Sequence, residues 1–190
     1  MKKNFGIIGN PISHSLSPTL HNYWFEKYNI DANYSILKIQ DSDLSTIINK
    51  IRDKGLNGIN ITLPYKQKIV PYLDRLVNDA EITGSVNTVY LDDNDVIIGE
   101  NTDVFGLQAA YLKEVDNITK KKALVIGAGG VSPSVVLSLE KSGVKEVFIT
   151  NRTKEKCIFL KNKFKNLKIV DWFNIQEKLI NFDIIINATS

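Results

Sequence analysis

Cysteine is nearly absent from this 190-residue sequence, and a single thiol, Cys157, excludes an internal disulfide. It stands in the helix-like stretch KEKCIFLKNKF, which favours packing of its side chain over catalysis. Long apolar runs are lacking too: only a few apolar residues precede Asn10, too few for a signal peptide or a membrane span. We therefore expect a cytoplasmic protein with no membrane partner.

The sequence also has little excess of positive over negative charge, because the net charge at pH 7 is only +3 and the isoelectric point is about 8.8. The lysines are spread over several predicted elements and cluster only modestly in 161–168, a distribution typical of solvated helix faces. Nucleic acid is therefore not predicted as a partner. A hydrophobic content of 43% and a mean hydropathy of -0.11 indicate a chain that folds in water around one good core or two small ones.

What the sequence does contain is an alternation of strand and helix signals, nearly from end to end and without low-complexity segments or short repeats. This alternation predicts an α/β fold with mostly parallel strands. A second βα series starts near residue 104, so we predict two α/β domains, 1–103 and 104–190, with a cleft between them.

The first predicted domain opens with a strand and a helix. Ser17 followed by Pro18 is a typical helix start, a capping hydroxyl with proline at the first helical position. This helix is predicted to bury Leu20, Tyr23, Trp24 and Tyr28. The other predictions are strands at 4–9, 33–39 and 58–63, a helix that buries Leu44, Ile47, Ile48 and Ile51 and ends near Gly55, a helical stretch to about 83, and an antiparallel hairpin of VNTVYL and VIIG at a sheet edge.

In the second predicted domain strands and helices alternate regularly. The last strand is expected beside the first one, with an apolar and unpaired outer edge. The predicted strands lie at 122–126, 146–150, 167–170 and 183–187, and the predicted helices at 104–115, 131–142, 153–164 and about 174–180.

A glycine-rich turn joins strand to helix in KALVIGAGGVSPSVVLSL, the context in which such a turn binds a dinucleotide. Gly127 would make the tight turn, Gly129 would let the backbone approach a pyrophosphate, and the small Ser132 would allow close packing of helix on strand. Glycines also serve ordinary turns, but inside a βαβ unit we favour dinucleotide binding. Ala128, Gly130 and Val131 complete the predicted cofactor loop.

The strand at 146–150 is followed by Asn151, Arg152 and Thr153, without the carboxylate that a NAD site usually presents to the ribose 2′-hydroxyl. An arginine there can pair with a 2′-phosphate, and Lys156, one helical turn later, can reinforce it. The alternative is an exposed arginine without a partner and a threonine that only caps the next helix. We predict NADP as the cofactor and no metal site.

Small hydrogen-bonding side chains crowd four segments, each of which ends a strand or enters a turn. In an open α/β sheet the ligand crevice lies beyond the carboxyl ends of the strands, so these segments are expected to converge on one pocket. In the first segment an extended loop could turn the hydroxyls of Ser15 and Ser17 to one side. A small substrate rich in hydroxyls is therefore predicted. The segments are GNPISHSLSPTLHN (9–22), NITLPYK (60–66), SVNT (85–88) and ENTD (100–103).

In order and across the whole chain, these segments together with GENTDVFG, GAGG, NRT and the terminal NATS resemble the shikimate dehydrogenase family. The resemblance implies NADP-dependent interconversion of 3-dehydroshikimate and shikimate, a step on the route to chorismate and the aromatic amino acids. It implies a substrate-binding catalytic domain at 1–103 and an incomplete Rossmann-type NADP-binding domain at 104–190.

The resemblance also assigns roles to residues. It places the substrate carboxylate near Ser15 and Ser17 and makes Lys66 and Asp103 the catalytic pair. The remaining implied contacts are ring hydroxyl contacts at Thr62, Asn87 and Asp103, a place for Asn60 in the same substrate site, and a place for Thr189 of NATS at the cofactor.

Lysine and aspartate suit the implied chemistry. Reduction of a ketone develops an alkoxide, and the Lys66 ammonium can stabilise it and deliver or relay the proton, while Asp103 across the predicted cleft could orient the lysine. The alternatives are a solvated lysine and an aspartate that caps a helix. We expect His14 and His21 to be structural or supporting residues.

Members of the family continue past NATS into more of the nucleotide domain and into helices that return to the first domain. That portion would supply further nicotinamide contacts and a glutamine for the substrate, so we expect a fragment or truncated product with impaired activity. Two alternatives stay open: a dehydrogenase that also accepts quinate, often with NAD, and a non-catalytic module that binds shikimate or nucleotide. A monomer or a homodimer is expected.

Overall fold

A computed structural model describes residues 2–189, and the chain divides into two compact units, Met1–Asn101 and Thr102–Ser190. Each unit has its own sheet, so the predicted α/β class is confirmed. The division falls just before Thr102 rather than after residue 103, and Asp103 therefore belongs to the second unit.

The first unit is built on a six-stranded sheet of order β2-β1-β3-β5-β6-β4. The strands β1, β2 and β3 run parallel, whereas β5 is antiparallel to both β3 and β6. The predicted hairpin of β5 and β6 is confirmed, but it does not form the edge, because the two-residue strand β4 pairs outside β6. The strands are β1 (Lys3–Ile8), β2 (Ala32–Ile36), β3 (Gly58–Ile61), β4 (Arg75–Leu76), β5 (Thr88–Leu91) and β6 (Ile97–Glu100).

Four helices accompany this sheet: α1 (Ser17–Lys27), α2 (Leu44–Arg52), α3 (Tyr65–Lys68) and α4 (Asp79–Thr83). The predicted face of α2 is confirmed, since Leu44, Ile47, Ile48 and Ile51 are all buried. The predicted continuous helix up to residue 83 is wrong. A 3-10 turn with Pro71 follows α3, where proline removes a backbone N–H, and β4 then intervenes before α4.

The predicted buried face of α1 is also wrong. None of its residues is fully buried, and the side chains expected in the core lie on the solvent side of the helix. Their exposed fractions are 48% for Leu20, 55% for Tyr23, 43% for Trp24 and 65% for Tyr28.

The physical reason is a polar attachment of α1 to the edge strand β2. The Asn22 side chain donates to the carbonyl of Tyr34 (2.8 Å) and accepts from its N–H (2.9 Å), so both backbone groups of that residue are satisfied. On the same face of α1 the His21 ring stacks on the Tyr34 ring, with centroids 4.3 Å apart and planes at 9°. These contacts turn the side of α1 that carries His21 and Asn22 toward the sheet. Apolar periodicity alone had predicted that the opposite side of the helix would be buried.

The second unit has a parallel four-stranded sheet of order β10-β7-β8-β9. As predicted, the last strand pairs with the first strand of this unit, and among residues 2–189 no strand pairs with its outer edge. The strands are β7 (Lys122–Ile126), β8 (Glu146–Thr150), β9 (Lys168–Ile169) and β10 (Ile184–Asn187), and the helices are α5 (Asp103–Ala110), α6 (Ser132–Lys141), α7 (Lys154–Lys163) and α8 (Ile175–Lys178).

The core of the second unit forms between its sheet and helices α5, α6 and α7. Cys157 on α7 is 1% exposed within this core, and burial raises the pKa of its thiol, which agrees with a packing role. Within residues 2–189 no helix is both long enough and apolar enough to cross a bilayer.

The buried face of α2 and the exposed side of α1 predict losses of stability of very different size when a side chain is truncated to alanine. Ile51→Ala removes a fully buried side chain and should lower the free energy of unfolding by about 2–5 kcal/mol. Tyr23→Ala, on the exposed side of α1, should change it by less than about 0.5 kcal/mol. Urea titration followed by circular dichroism measures both, and a comparable loss in the two variants would contradict this placement of α1.

Candidate active site

The substrate-side segments of the first unit meet at one edge of its sheet. Strands β1 and β3 are parallel and end there, and the antiparallel β5 begins there. The register places Ile7, Asn60, Thr88 and Glu100 side by side across four strands. The segments that follow β1 and β3, and the segment that precedes β5, therefore leave the sheet at the same edge.

Backbone hydrogen bonds join the loops after β1 and β3. The N–H of Thr62 donates to Ile8 (2.9 Å), and the N–H of Asn10 donates to Leu63 (2.9 Å). A Cβ added to Gly9 would lie 2.5 Å from Cγ2 of Thr62 and 2.9 Å from Cδ1 of Ile12, so a larger residue would displace these side chains. Thr62 is thereby fixed beside the end of β1.

Lys66 and Asn87 are held at the same edge. The N–H of Val86 donates to the carbonyl of Lys66 (2.8 Å), and the N–H of Ile61 donates to the carbonyl of Asn87 (2.8 Å). The side chains of Asn60, Thr62, Lys66 and Asn87 are all half-buried, as expected of groups that are held by the fold and still reach solvent. The structure therefore brings these four predicted substrate residues together.

Ser15 and Ser17 lie at the start of α1. The N–H of Ser17 donates to Oγ of Ser15 (3.3 Å). The predicted capping by the Ser17 hydroxyl is wrong: the helix begins at Ser17, and its N-cap is Leu16, which makes no side-chain capping bond. Both serine side chains are half-buried.

Tyr34 on β2 is a residue of this edge that no sequence motif marked. Its hydroxyl donates to Oδ1 of Asn60 (2.7 Å). Nδ2 of Asn60 donates in turn to the carbonyl of Asn87 (3.3 Å) and to Oγ1 of Thr88 (3.2 Å). Burial raises the pKa of Tyr34 to about 12, against the opposing effect of a hydrogen bond with the Ser17 side chain. The phenol is therefore protonated, and thus a donor, at neutral pH.

The glycine-rich turn of the second unit is formed by Gly127, which has a φ of +111°. Its N–H donates to Thr150 (2.8 Å), and an added Cβ would lie 2.8 Å from the backbone carbon and oxygen of Ala188. Only glycine fits this conformation and this close approach. Thr189, the predicted cofactor residue that follows Ala188, lies beside the same turn, whereas Ser190 of the NATS segment is outside the described residues.

The Ser132 side chain forms hydrogen bonds with the backbone of the glycine-rich loop. Its fully buried hydroxyl accepts from the N–H of Gly129 (2.9 Å) and donates to the carbonyl of Gly127 (3.0 Å). This residue therefore shapes the cofactor loop and lies beneath its surface. Gly130 and Val131 complete the turn into α6, of which Val131 is the N-cap.

Asn151 links the glycine loop to the segment after β8. Its Oδ1 accepts from the N–H of Ala128 (3.2 Å), and its Nδ2 donates to the carbonyl of Thr153 (2.9 Å). Between these contacts, Arg152 is exposed, and Lys156 is exposed on the first turn of α7. Thr153 is the N-cap of α7, as the alternative has it, but its side chain makes no capping bond.

Asp103 lies on the first turn of α5, with Thr102 as the N-cap, so the alternative that Asp103 caps this helix is also wrong. An aspartate in the first turn is stabilised by the helix dipole. It borders a cavity of about 380 Å³ within the second unit, to which the cofactor loop contributes Val131. The other lining residues are Thr102, Gly106, Leu107, Tyr111, Ser134, Val135 and Ile186.

The role of the Ser132 hydroxyl in shaping the glycine loop can be tested with Ser138, a second buried serine on α6, as the control. Ser132→Ala leaves the N–H of Gly129 without this acceptor, so it should cost about 1–3 kcal/mol of stability and weaken NADP binding as the loop loosens. Ser138→Ala removes a hydroxyl bonded to Val104 and Ser134 and should lower stability while NADP binding is retained. Thermal unfolding and calorimetric titration with NADP measure the two effects, and equal NADP affinity in both variants would contradict the role of Ser132.

Comparison with known proteins places both units in one family. Residues 7–89 match the family model described as shikimate dehydrogenase substrate binding domain, and residues 109–190 match the one described as shikimate / quinate 5-dehydrogenase. The chain is 47% identical over 190 residues to shikimate dehydrogenase (NADP(+)) of Pelagibacter ubique, covering 100% of the chain and 70% of that protein. For the enzyme of the same name from Bacillus subtilis the identity is 37% over 194 residues, covering 100% and 69%.

Solved structures of the same family resemble this chain along its length. A crystal structure of shikimate dehydrogenase from Aquifex aeolicus has a TM-score of 0.91 and 35% identity, covering 100% of this chain and 69% of that one. A shikimate 5-dehydrogenase from Thermus thermophilus, solved in complex with NADP(H) and shikimate, has a TM-score of 0.86 and 32% identity, covering 98% and 68%. With the same family matched in both units and along the full sequence, the chain belongs to the shikimate dehydrogenases.

Proposed function

We propose that this chain is an NADP-dependent oxidoreductase that interconverts 3-dehydroshikimate and shikimate, in the pathway to chorismate and the aromatic amino acids. The observation that carries the proposal is the group formed by Asn60, Thr62, Lys66 and Asn87 at one sheet edge, in a chain whose relatives are shikimate dehydrogenases (NADP(+)). Amide, hydroxyl and ammonium groups are the donors that a carboxylated polyol requires.

In this proposal the ends of the substrate are recognised by different segments. The hydroxyls of Ser15 and Ser17 bind the carboxylate, since each can donate a hydrogen bond to a carboxylate oxygen, which only accepts. The amides of Asn60 and Asn87 and the hydroxyl of Thr62 bind the ring hydroxyls. Hydrogen bonds fix the Asn60 side chain and the backbone of Thr62 and Asn87 before the ligand arrives, which reduces the entropic cost of binding.

Lys66 is the proposed source of the proton. Bound NADPH supplies a hydride to the ketone carbon, and the developing negative charge on oxygen is stabilised by the Lys66 ammonium, which then delivers or relays a proton. Asp103 is the proposed second catalytic residue. It is assigned from its place in GENTDVFG, and it borders the cavity beside the cofactor loop in its own unit.

Arg152 is the proposed determinant for NADP. It follows β8, next to Asn151, whose side chain contacts the glycine loop, and neither Asn151 nor Thr153 offers a carboxylate to a ribose hydroxyl. A guanidinium at this position pairs with the 2′-phosphate of NADP and has no comparable partner in NAD. Lys156 adds a second positive charge one helical turn later.

A wider substrate range is the second candidate. The family model matched by the second unit is described for both shikimate and quinate, so quinate belongs in every assay as the competing substrate. The finer features that we propose are a cytoplasmic location, a monomeric or homodimeric state, and the absence of nucleic-acid and membrane partners.

The catalytic lysine is tested by separating turnover from binding. Lys66→Ala should lower kcat for NADP reduction with shikimate by at least about 100-fold, because the group that takes the proton from the hydroxyl in this direction is lost, while the dissociation constant for shikimate changes far less. Lys68→Ala is the matched control: Lys68 is an exposed lysine two residues away that pairs with Asp41. Absorbance at 340 nm gives kcat, and calorimetry gives the dissociation constant. A near-normal kcat in Lys66→Ala would refute the assignment.

If Arg152 binds the 2′-phosphate, its removal should abolish the preference for NADP over NAD. Arg152→Ala should weaken NADP binding by about tenfold or more, the value of a charge-assisted contact, and should leave NAD binding unchanged. Lys154→Ala removes an exposed cation two residues further on and should retain the preference. Calorimetric titration of the three proteins with both nucleotides decides the matter, and an unchanged preference in Arg152→Ala would rule out this residue.

A further inference from the structure

The strongest unassigned feature of the first unit is the environment of Tyr34. Its side chain is only 4% exposed, although its phenol lies among residues proposed to bind substrate. It is not part of any of the four polar segments, since it lies on β2. Three independent contacts restrain it: Asn22 at its backbone, the His21 ring on its aromatic face, and Asn60 at its hydroxyl.

Both ends of the Asn60 amide are held by hydrogen bonds. The Tyr34 hydroxyl donates to Oδ1, and Nδ2 donates to the Asn87 carbonyl and to Oγ1 of Thr88. The reversed amide would face the Asn87 carbonyl, which can only accept, with an oxygen and would lose the bond that the Tyr34 hydroxyl donates to Oδ1. The geometry thus fixes which atoms of Asn60 remain directed toward a ligand.

Contacts at the ring and at the backbone hold the hydroxyl of Tyr34 in place. The Tyr34 ring is stacked on the His21 ring, with centroids 4.3 Å apart, and burial lowers the pKa of His21. The Asn22 side chain pairs with both backbone groups of Tyr34. The hydroxyl therefore reaches Asn60 from a restrained position.

We propose that Tyr34 is a positioning residue for the substrate: its hydroxyl, together with the Asn87 carbonyl, holds the Asn60 amide in the orientation that meets the ligand. Tyr34 acts through Asn60 and does not itself take part in proton or hydride transfer. The inference rests on the proposed function, because it takes Asn60 as a substrate ligand.

The test is Tyr34→Phe, which keeps the ring on His21 and removes only the hydroxyl. Shikimate should bind about fivefold to tenfold more weakly, as expected for one neutral hydrogen bond that orders a site, while NADP binding and the unfolding temperature change little. Tyr90→Phe is the matched control, since it makes the same change on the half-buried Tyr90 of β5 and should bind shikimate as the unmodified chain does.

A double-mutant cycle shows whether the effect passes through the amide. If Tyr34 acts through Asn60, the losses of shikimate affinity in Tyr34→Phe and Asn60→Ala should not add, and the double variant should resemble Asn60→Ala. Additive losses would overturn the proposal. Shikimate affinity within twofold of the unmodified chain in Tyr34→Phe would overturn it as well, and so would a parallel loss of NADP affinity and unfolding temperature, which would indicate a purely structural residue.

The outcome for the unmodified chain separates this inference from the proposed function. Binding or turnover of shikimate by the unmodified chain, with no effect of Tyr34→Phe, would reject only the role of Tyr34. Failure of the unmodified chain both to bind and to oxidise shikimate, with NADP still bound, would reject the proposed function and the inference with it.

Discussion

The close approach of two loops at Gly9 is the constraint on which the substrate edge depends. The loops after β1 and β3 are hydrogen-bonded to each other, and a Cβ at Gly9 would push against the side chains of Thr62 and Ile12. In the second unit the constraint is stricter, because the backbone of Ala188 lies against Gly127. In both units a glycine lets the chain pack closely, and the proposed ligand-binding groups are arranged around that contact.

Much of this architecture follows from local sequence patterns. The run from Lys122 to Thr150 alternates apolar strands with an apolar helix around a glycine turn, and its elements lie where the pattern predicts them. The α2 face was equally predictable, because Leu44, Ile47, Ile48 and Ile51 follow a helical period without competing signals. The segments that carry the proposed substrate residues were visible as polar clusters, since parallel strands deliver their ends to a common edge.

What could not be predicted depends on contacts between distant segments. The apolar pattern of α1 favoured the wrong face, because its attachment is made by Asn22 and His21, a polar and an aromatic contact with a strand that comes later in the chain. Strand β4 has two residues and no periodicity to detect. Tyr34 stands in a strand without any motif around it, and its hydroxyl meets Asn60 only when β2 and β3 are both placed beside β1. Pairing partners of this kind are a property of the folded chain.

The burial of Cys157 determines when its thiol can react. The chain has one thiol, and it lies in the core of the unit proposed to bind the nucleotide, with its pKa raised by the apolar surroundings. A thiol in that state reacts with alkylating reagents only when the surrounding helix opens. The protein therefore carries a natural probe of local unfolding, and the rate at which this sulfur is modified reports how often α7 leaves its sheet.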